Sequence, residues 1–187
     1  MNFVGIDYSM NSPSCCLFDG TEYRYLNLNT VKRLEGKFQV SNHHFSVEYL
    51  PKNFSNAIEK YSYMSRMFLD FIESFGKSNV ALEGYSYGSK GQAILNIAEN
   101  IQTLKLRLYN SSNIELILPS PPPTQIKKFA TGKGNADKTM MYTSYATATG
   151  VDTIHTILDK KCEDSPVSDF VDSYWICEFL RKEIDNN

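Results

Sequence analysis

Three stretches of the sequence put acidic residues where the hydrophobic pattern calls for burial. Asp7 closes the apolar run FVGID, and aspartate is a poor strand residue. Glu83 closes NVALE, a second buried-looking strand. Asp169 and Asp172 stand three apart in SDFVDSYW and so share one face of a helix, with Trp175 and Ile176 nearby. Burying a lone carboxylate is costly and gathering several multiplies the repulsion, so basic partners or divalent cations must offset it. Four such side chains suit Mg²⁺ or Mn²⁺, hard ions that favour carboxylate and water. Two of these ions ~3.5–4 Å apart hydrolyse phosphodiesters without a cysteine or a histidine base. Each acid taken singly reads equally well as an exposed element end or the partner of a lysine. Four of them at the ends of apolar elements resist that explanation.

Such acids need a scaffold that gathers distant stretches. FVGID and SCCLF read as strands separated by the Ser-Pro break at 12–13. Asp19-Gly20 marks a two-residue hairpin with TEYRYLNL returning, which makes Asp19 a turn residue. HHFSVEYL reads as a further strand closed by Pro51, and the rest of 30–52 shows no clear pattern. Asn53 or Ser55 caps an amphipathic helix whose apolar face runs from Phe54 to Phe75, with Gly76 at its end. NVALEG is a strand, followed by a helix with Ile94, Ile97, Ile101, Leu104 and Leu108 on one face. IELILP is another strand, stopped by the prolines of 119–123, and TQIKKFATGKGNADK runs on into a helix through about Thr149. Pro166 opens the last helix, PVSDFVDSYWICEFLRKE. The order implies one mixed α/β domain over residues 1–187, with helices packed on a central sheet and no internal repeat.

The composition narrows the function. A chain of 187 residues that is 42% hydrophobic and 21% charged is neither disordered nor a coiled coil. A net charge of -2 excludes a polycation that grips nucleic acid by bulk charge, yet permits a local basic face. Residues 125–141 supply one, with Lys127, Lys128, Lys133 and Lys138 against the single acid Asp137. Its position before the acidic helix favours a phosphate-guiding role over a merely solvated face. The loop GYSYGSKGQ adds glycines that let backbone approach a phosphate, and Lys90 adds charge, although it is not a Walker A loop. No apolar run approaches the ~20 residues of a membrane span, and no signal peptide is evident, so no membrane partner is expected. The four cysteines have no CxxC spacing and read as reduced thiols, Cys15 and Cys16 pointing to opposite faces of a strand. His43 and His44 diverge for the same reason, which disfavours a metal pair, and His155 reads as a packing or surface residue. Glu163 and Asp164 are weaker substitutes for Asp169 because they lie in a loop.

Taken in order, these motifs resemble a RuvC-type Holliday junction resolvase of the RNase H-like superfamily, of the bacteriophage kind. VGIDYS resembles the first-strand motif of that family, with Asp7 as its metal-binding acid, and LEG resembles the second, with Glu83. SDFVDSYW resembles the closing helix motif, in which Asp169 and Asp172 complete the site. IKKFATGKGNADK resembles the basic segment, where Lys127 and Lys138 match lysines near the scissile phosphate. The resemblance spans nearly the whole chain, residues 28–75 contributing least. It implies a five-stranded mixed sheet flanked by helices, and a homodimer packed partly through residues 92–109. It also implies opposite-strand cleavage of a four-way DNA junction. An aromatic residue that contacts bases at the crossover falls at Ser86 here, a departure, with Tyr85 and Tyr87 flanking it as candidates for stacking.

The expected activity is therefore Mg²⁺-dependent hydrolysis, with Mn²⁺ substituting, of four-way junctions and other branched DNA. The expected location is the cytoplasm, that of a bacterial host if the chain is phage-encoded. Ribonuclease H-type cleavage of RNA–DNA hybrids would use much the same sheet and acids. A non-catalytic branched-DNA-binding protein is the alternative from another class, and the presence of all four acids weighs against it.

Overall fold

The computed structural model describes residues 1–84 and 92–186. The N-terminal apolar run forms β1 (Asn2–Asp7), and β2 (Ser14–Phe18) and β3 (Tyr23–Asn29) follow as an antiparallel meander. The β2–β3 hairpin turns at Asp19, whose carboxylate accepts bonds from the amides of Thr21 and Glu22. Those bonds, together with Arg24, hold the Asp19 carboxyl down at about 2, against the pull of burial. Asp19 is thus a turn acid.

After a 3-10 turn at Lys32–Leu34 come β4 (Gly36–Val40) and β5 (His43–Tyr49). Helix α1 (Ala57–Glu73) is capped by Asn56, whose side chain accepts from the Glu59 amide at 2.9 Å, and not by Asn53 or Ser55. Then come β6 (Ser78–Leu82), α2 (Gln92–Asn110) and β7 (Ile114–Leu118). The lysine-rich stretch forms two helices where one was expected, α3 (Pro123–Thr131) and α4 (Lys138–Thr149). Gly132 separates them by capping α3 at a φ of 79°, a left-handed conformation that suits glycine. A short α5 (Ile154–Ile157) precedes α6 (Val167–Asp185), which has Pro166 at its N-cap.

The sheet has seven strands in the order β4-β5-β3-β2-β1-β6-β7, not the five implied by the resemblance. The two further strands come from residues 36–49: β5 runs parallel to β3, and β4 pairs antiparallel to β5 at the edge. Helices cover both faces. On one side Val4, Ile6, Cys15, Leu17, Leu26 and Leu28 pack with Phe68 and Ile72 of α1 and Leu104 and Leu108 of α2. On the other, Cys16, Tyr25, Phe45 and Ala81 pack with α4 and with α6, which buries Phe170, Tyr174, Ile176 and Leu180. Cys15 and Cys16 thus face opposite layers, as strand neighbours must. Among the described residues no helix is long and apolar enough to cross a membrane.

Gly5 fixes how α6 lies on the sheet. A Cβ there would stand 2.1 Å from the Cys177 amide nitrogen and 2.4 Å from the Ser173 carbonyl oxygen. Backbone therefore meets backbone, a separation that only glycine allows. The Ser14 and Ser173 hydroxyls, 3.2 Å apart, and the Cys177 thiol, which donates to the Phe3 carbonyl at 3.3 Å, complete this seam.

Candidate functional site

The seam sets the first turns of α6 beside the carboxyl ends of two parallel strands. Ile6 of β1 lies opposite Leu82 of β6, so the next residues, Asp7 and Glu83, leave the sheet side by side. The Glu83 amide still bonds the Ile6 carbonyl at 3.0 Å, and the Gly84 amide bonds Pro121 at 2.8 Å, which ties this exit to the segment before α3. From α6, Asp169 in the first turn and Asp172 one turn on reach toward the same end. Ligand sites of open α/β sheets lie at the carboxyl ends of their strands.

The electrostatics show the four acids acting on one another. Burial raises the Asp7 carboxyl well above the ordinary carboxylate range; the charges of Glu83, Asp172 and Asp169 raise it further, and Lys138 opposes them. Glu83 is pushed up to about 7, chiefly by burial and then by Asp172, with Lys127 pulling down. Asp172 rises to about 6 through burial and the charge of Asp169, against Lys138 and Lys127. Among the described residues two lysines thus act on the cluster, too few to neutralise four carboxylates.

Asp169 is 9% exposed and lies in a polar nest. Its Oδ2 accepts the Ser12 hydroxyl at 2.6 Å and the Ser165 hydroxyl at 2.5 Å. Behind them, Asn27 and Asn29 of β3 each donate a side-chain amide to Ser12 Oγ, at 3.0 and 3.1 Å. These four polar residues escaped the sequence reading, in which Ser12-Pro13 counted only as a strand break and Ser165-Pro166 only as the start of the last helix. The available signal was the asparagine pair two apart in YRYLNLN, on the strand face that Tyr25 places toward α6.

Lys138, the first residue of α4, donates to the Glu163 carbonyl at 3.2 Å and to the Ser168 hydroxyl at 3.1 Å. Asp137 caps that helix through the Met140 amide at 2.8 Å. Lys127 projects from α3, while Lys128 and Lys133 are exposed on the same basic segment. Tyr85, Tyr87 and Lys90 lie outside the described residues. His155 pairs with the Tyr142 hydroxyl at 2.8 Å, and His43 is buried in a stack with Tyr23.

The donor set is all oxygen, anionic and under-compensated, which fits a hard divalent cation. Among the described residues, no three His, Cys, Asp or Glu side chains close into a ready metal cage.

No family model matches the sequence, and no curated protein sequence does. Solved structures do match. The Thermus thermophilus RuvC structure aligns with a TM-score of 0.62 at 13% identity, covering 98% of this chain and 96% of that one. T. thermophilus RuvC in complex with Holliday junction substrate aligns with a TM-score of 0.57 at 11% identity, over 99% and 96% of the two chains. The chain has the RuvC fold.

Proposed function

We propose that this chain is a structure-selective DNA endonuclease of the RuvC type that cleaves four-way junctions and other branched DNA as a single nuclease domain. The observation that carries the reading is the meeting of four mutually repelling carboxylates at the carboxyl ends of β1 and β6, under α6. One of the structures sharing this fold holds a Holliday junction. Asp7, Glu83, Asp169 and Asp172 would hold Mg²⁺, with Mn²⁺ in its place on occasion, and the chemistry such ions supply is activation of water and charge neutralisation at the phosphate. Lys138 and Lys127, already within electrostatic reach of the acids, draw the scissile phosphate toward them. Lys128 and Lys133 extend that positive face along the DNA backbone, and Tyr85, Tyr87 and Lys90 are further DNA contacts.

Two copies are needed to cut two strands, and α2 offers the surface for pairing. It exposes Leu95, Leu106 and Tyr109, the last to 79%, with Ile58 of α1 and Leu116 of β7 also exposed. Surface of this kind supports a homodimer. A parallel assay of a four-armed oligonucleotide, an RNA–DNA hybrid and a linear duplex, each with Mg²⁺ or with chelator, tests the activity. The expected result is cleavage of the junction alone, abolished by chelator. Cleavage of the hybrid with the junction left intact overturns the reading.

A further inference from the structure

We propose that Ser12 and Ser165, backed by Asn27 and Asn29, are positioning residues that clamp one oxygen of Asp169 and present the other to the cation. The inference rests on the metal-site reading above and adds residues to it. The clamp is built from three distant segments: the β1–β2 loop, strand β3 and the residues leading into α6. Both hydroxyls converge on Oδ2 of Asp169, whereas Oδ1 has only the Ser168 hydroxyl at 3.4 Å. The two hydroxyls also touch each other at 2.5 Å. Ser12 Oγ receives the amides of Asn27 and Asn29, so its own proton is directed outward, to the carboxylate.

The placement of the asparagines needs a reason. Asn27 is 0% and Asn29 is 4% exposed, on the sheet face whose Cys16, Tyr25 and Phe45 pack against α4 and α6. Burying two amides in a sheet core costs free energy unless they are bonded. Here their side chains bond Ser12 and, for Asn27, the Pro13 carbonyl at 3.2 Å. Loop anchoring alone would be met by that carbonyl contact. The convergence of two amides on the hydroxyl that holds Asp169 is what an outer layer around a metal ligand requires, because such partners fix ligand orientation. A carboxylate with one oxygen doubly engaged cannot rotate to offer it, which leaves Oδ1 as the binding atom. Lys138, through Ser168, lies on that Oδ1 side.

Calorimetric titration of Mn²⁺ into the intact chain tests this without any cleavage step, with thermal unfolding in chelator recorded for every variant. Ser12→Ala should weaken Mn²⁺ binding about 10-fold, and Ser12→Ala with Ser165→Ala up to about 100-fold, the range seen when outer partners of metal ligands are lost. Ser12→Thr, which keeps the hydroxyl, should stay within about threefold of the parent. Melting in chelator should move by no more than a few degrees, a split that a purely structural role would not give. Parent-like Mn²⁺ affinity in Ser12→Ala and in the double alanine variant overturns the clamp, as does a loss of affinity that only tracks a loss of stability. Asp7→Asn separates the two levels: a parent chain that takes up no more Mn²⁺ than Asp7→Asn removes the metal site itself and the clamp with it. Loss of binding in Asp7→Asn but none in the serine variants removes the clamp alone.

Discussion

Along the contact between β1 and α6, two neighbouring regions obey opposite rules. At Gly5 the helix backbone touches the strand backbone, sealed by bonds of Ser14, Ser173 and Cys177. One turn away, at Asp7, burial and the charges of Glu83, Asp172 and Asp169 raise the Asp7 carboxyl well above its ordinary range. The first region sets the distance and the second holds charge at that distance. A close seam holds a repulsive cluster in place because the helix cannot move out to relieve it. Stability is concentrated at Gly5 and given up at Asp7, the division expected of a scaffold and its site.

The largest effect should come from breaking the seam. Gly5→Ala places a methyl in the backbone of α6, so unfolding in urea should show a loss of about 3 kcal/mol or more, or no folded protein at all. Gly36→Ala, where nothing lies within 4 Å, is the control and should change stability by less than about 0.5 kcal/mol. A Gly5→Ala chain as stable as the control would mean that the seam does not set the spacing.

Next in size is the loss of a single acid. Asp7→Asn should lower junction cleavage in Mg²⁺ by about 10³-fold or more, the scale of several kcal/mol of barrier. Junction binding in chelator, followed by gel shift, should stay near the parent value. Normal nicking by this variant would separate the cluster from the chemistry.

The pH dependence sharpens the contrast further. Asp7, Glu83 and Asp172 have folded-state values raised above their unfolded ones, so the folded chain holds protons that the unfolded chain has already released. Stability contributed by the protonated acids is therefore present below about pH 4 and is lost as pH rises, through about 6 for Asp172 and about 7 for Glu83. Urea midpoints in chelator should fall across that window, and Mg²⁺ should flatten the fall by binding the ionised form. The smallest effect belongs to the basic face. Lys128→Ala should weaken junction binding slightly and lower the slope of log affinity against log salt by ~0.9 if that lysine neutralises one duplex phosphate. An unchanged slope would take Lys128 out of the contact surface.

These two regions were unequally legible in the sequence. Asp7, Glu83 and the Asp169/Asp172 pair showed themselves because an acid ending an apolar run violates its own pattern, and the hairpin at Asp19 was legible because Asp-Gly is a local turn signal. The seam at Gly5 was not, since a glycine inside a strand does not say which helix backbone approaches it. The edge strand β4 is mostly exposed and only five residues long, so the brief alternation of Lys37, Phe38, Gln39 and Val40 did not stand out. The break between α3 and α4 hid in a lysine-rich run whose glycines read as tolerated interruptions. The clamp on Asp169 joins Ser12, Asn27, Asn29 and Ser165, residues brought together only by the tertiary fold.

The central claim is that these carboxylates share one cation-binding place. Anomalous diffraction from crystals of the chain soaked in Mn²⁺ tests it most directly. The expected map has its strongest peaks among Asp7, Glu83, Asp169 and Asp172, and loses them in Asp7→Asn. Strong Mn²⁺ peaks elsewhere on the molecule, with those four side chains unliganded, would contradict it.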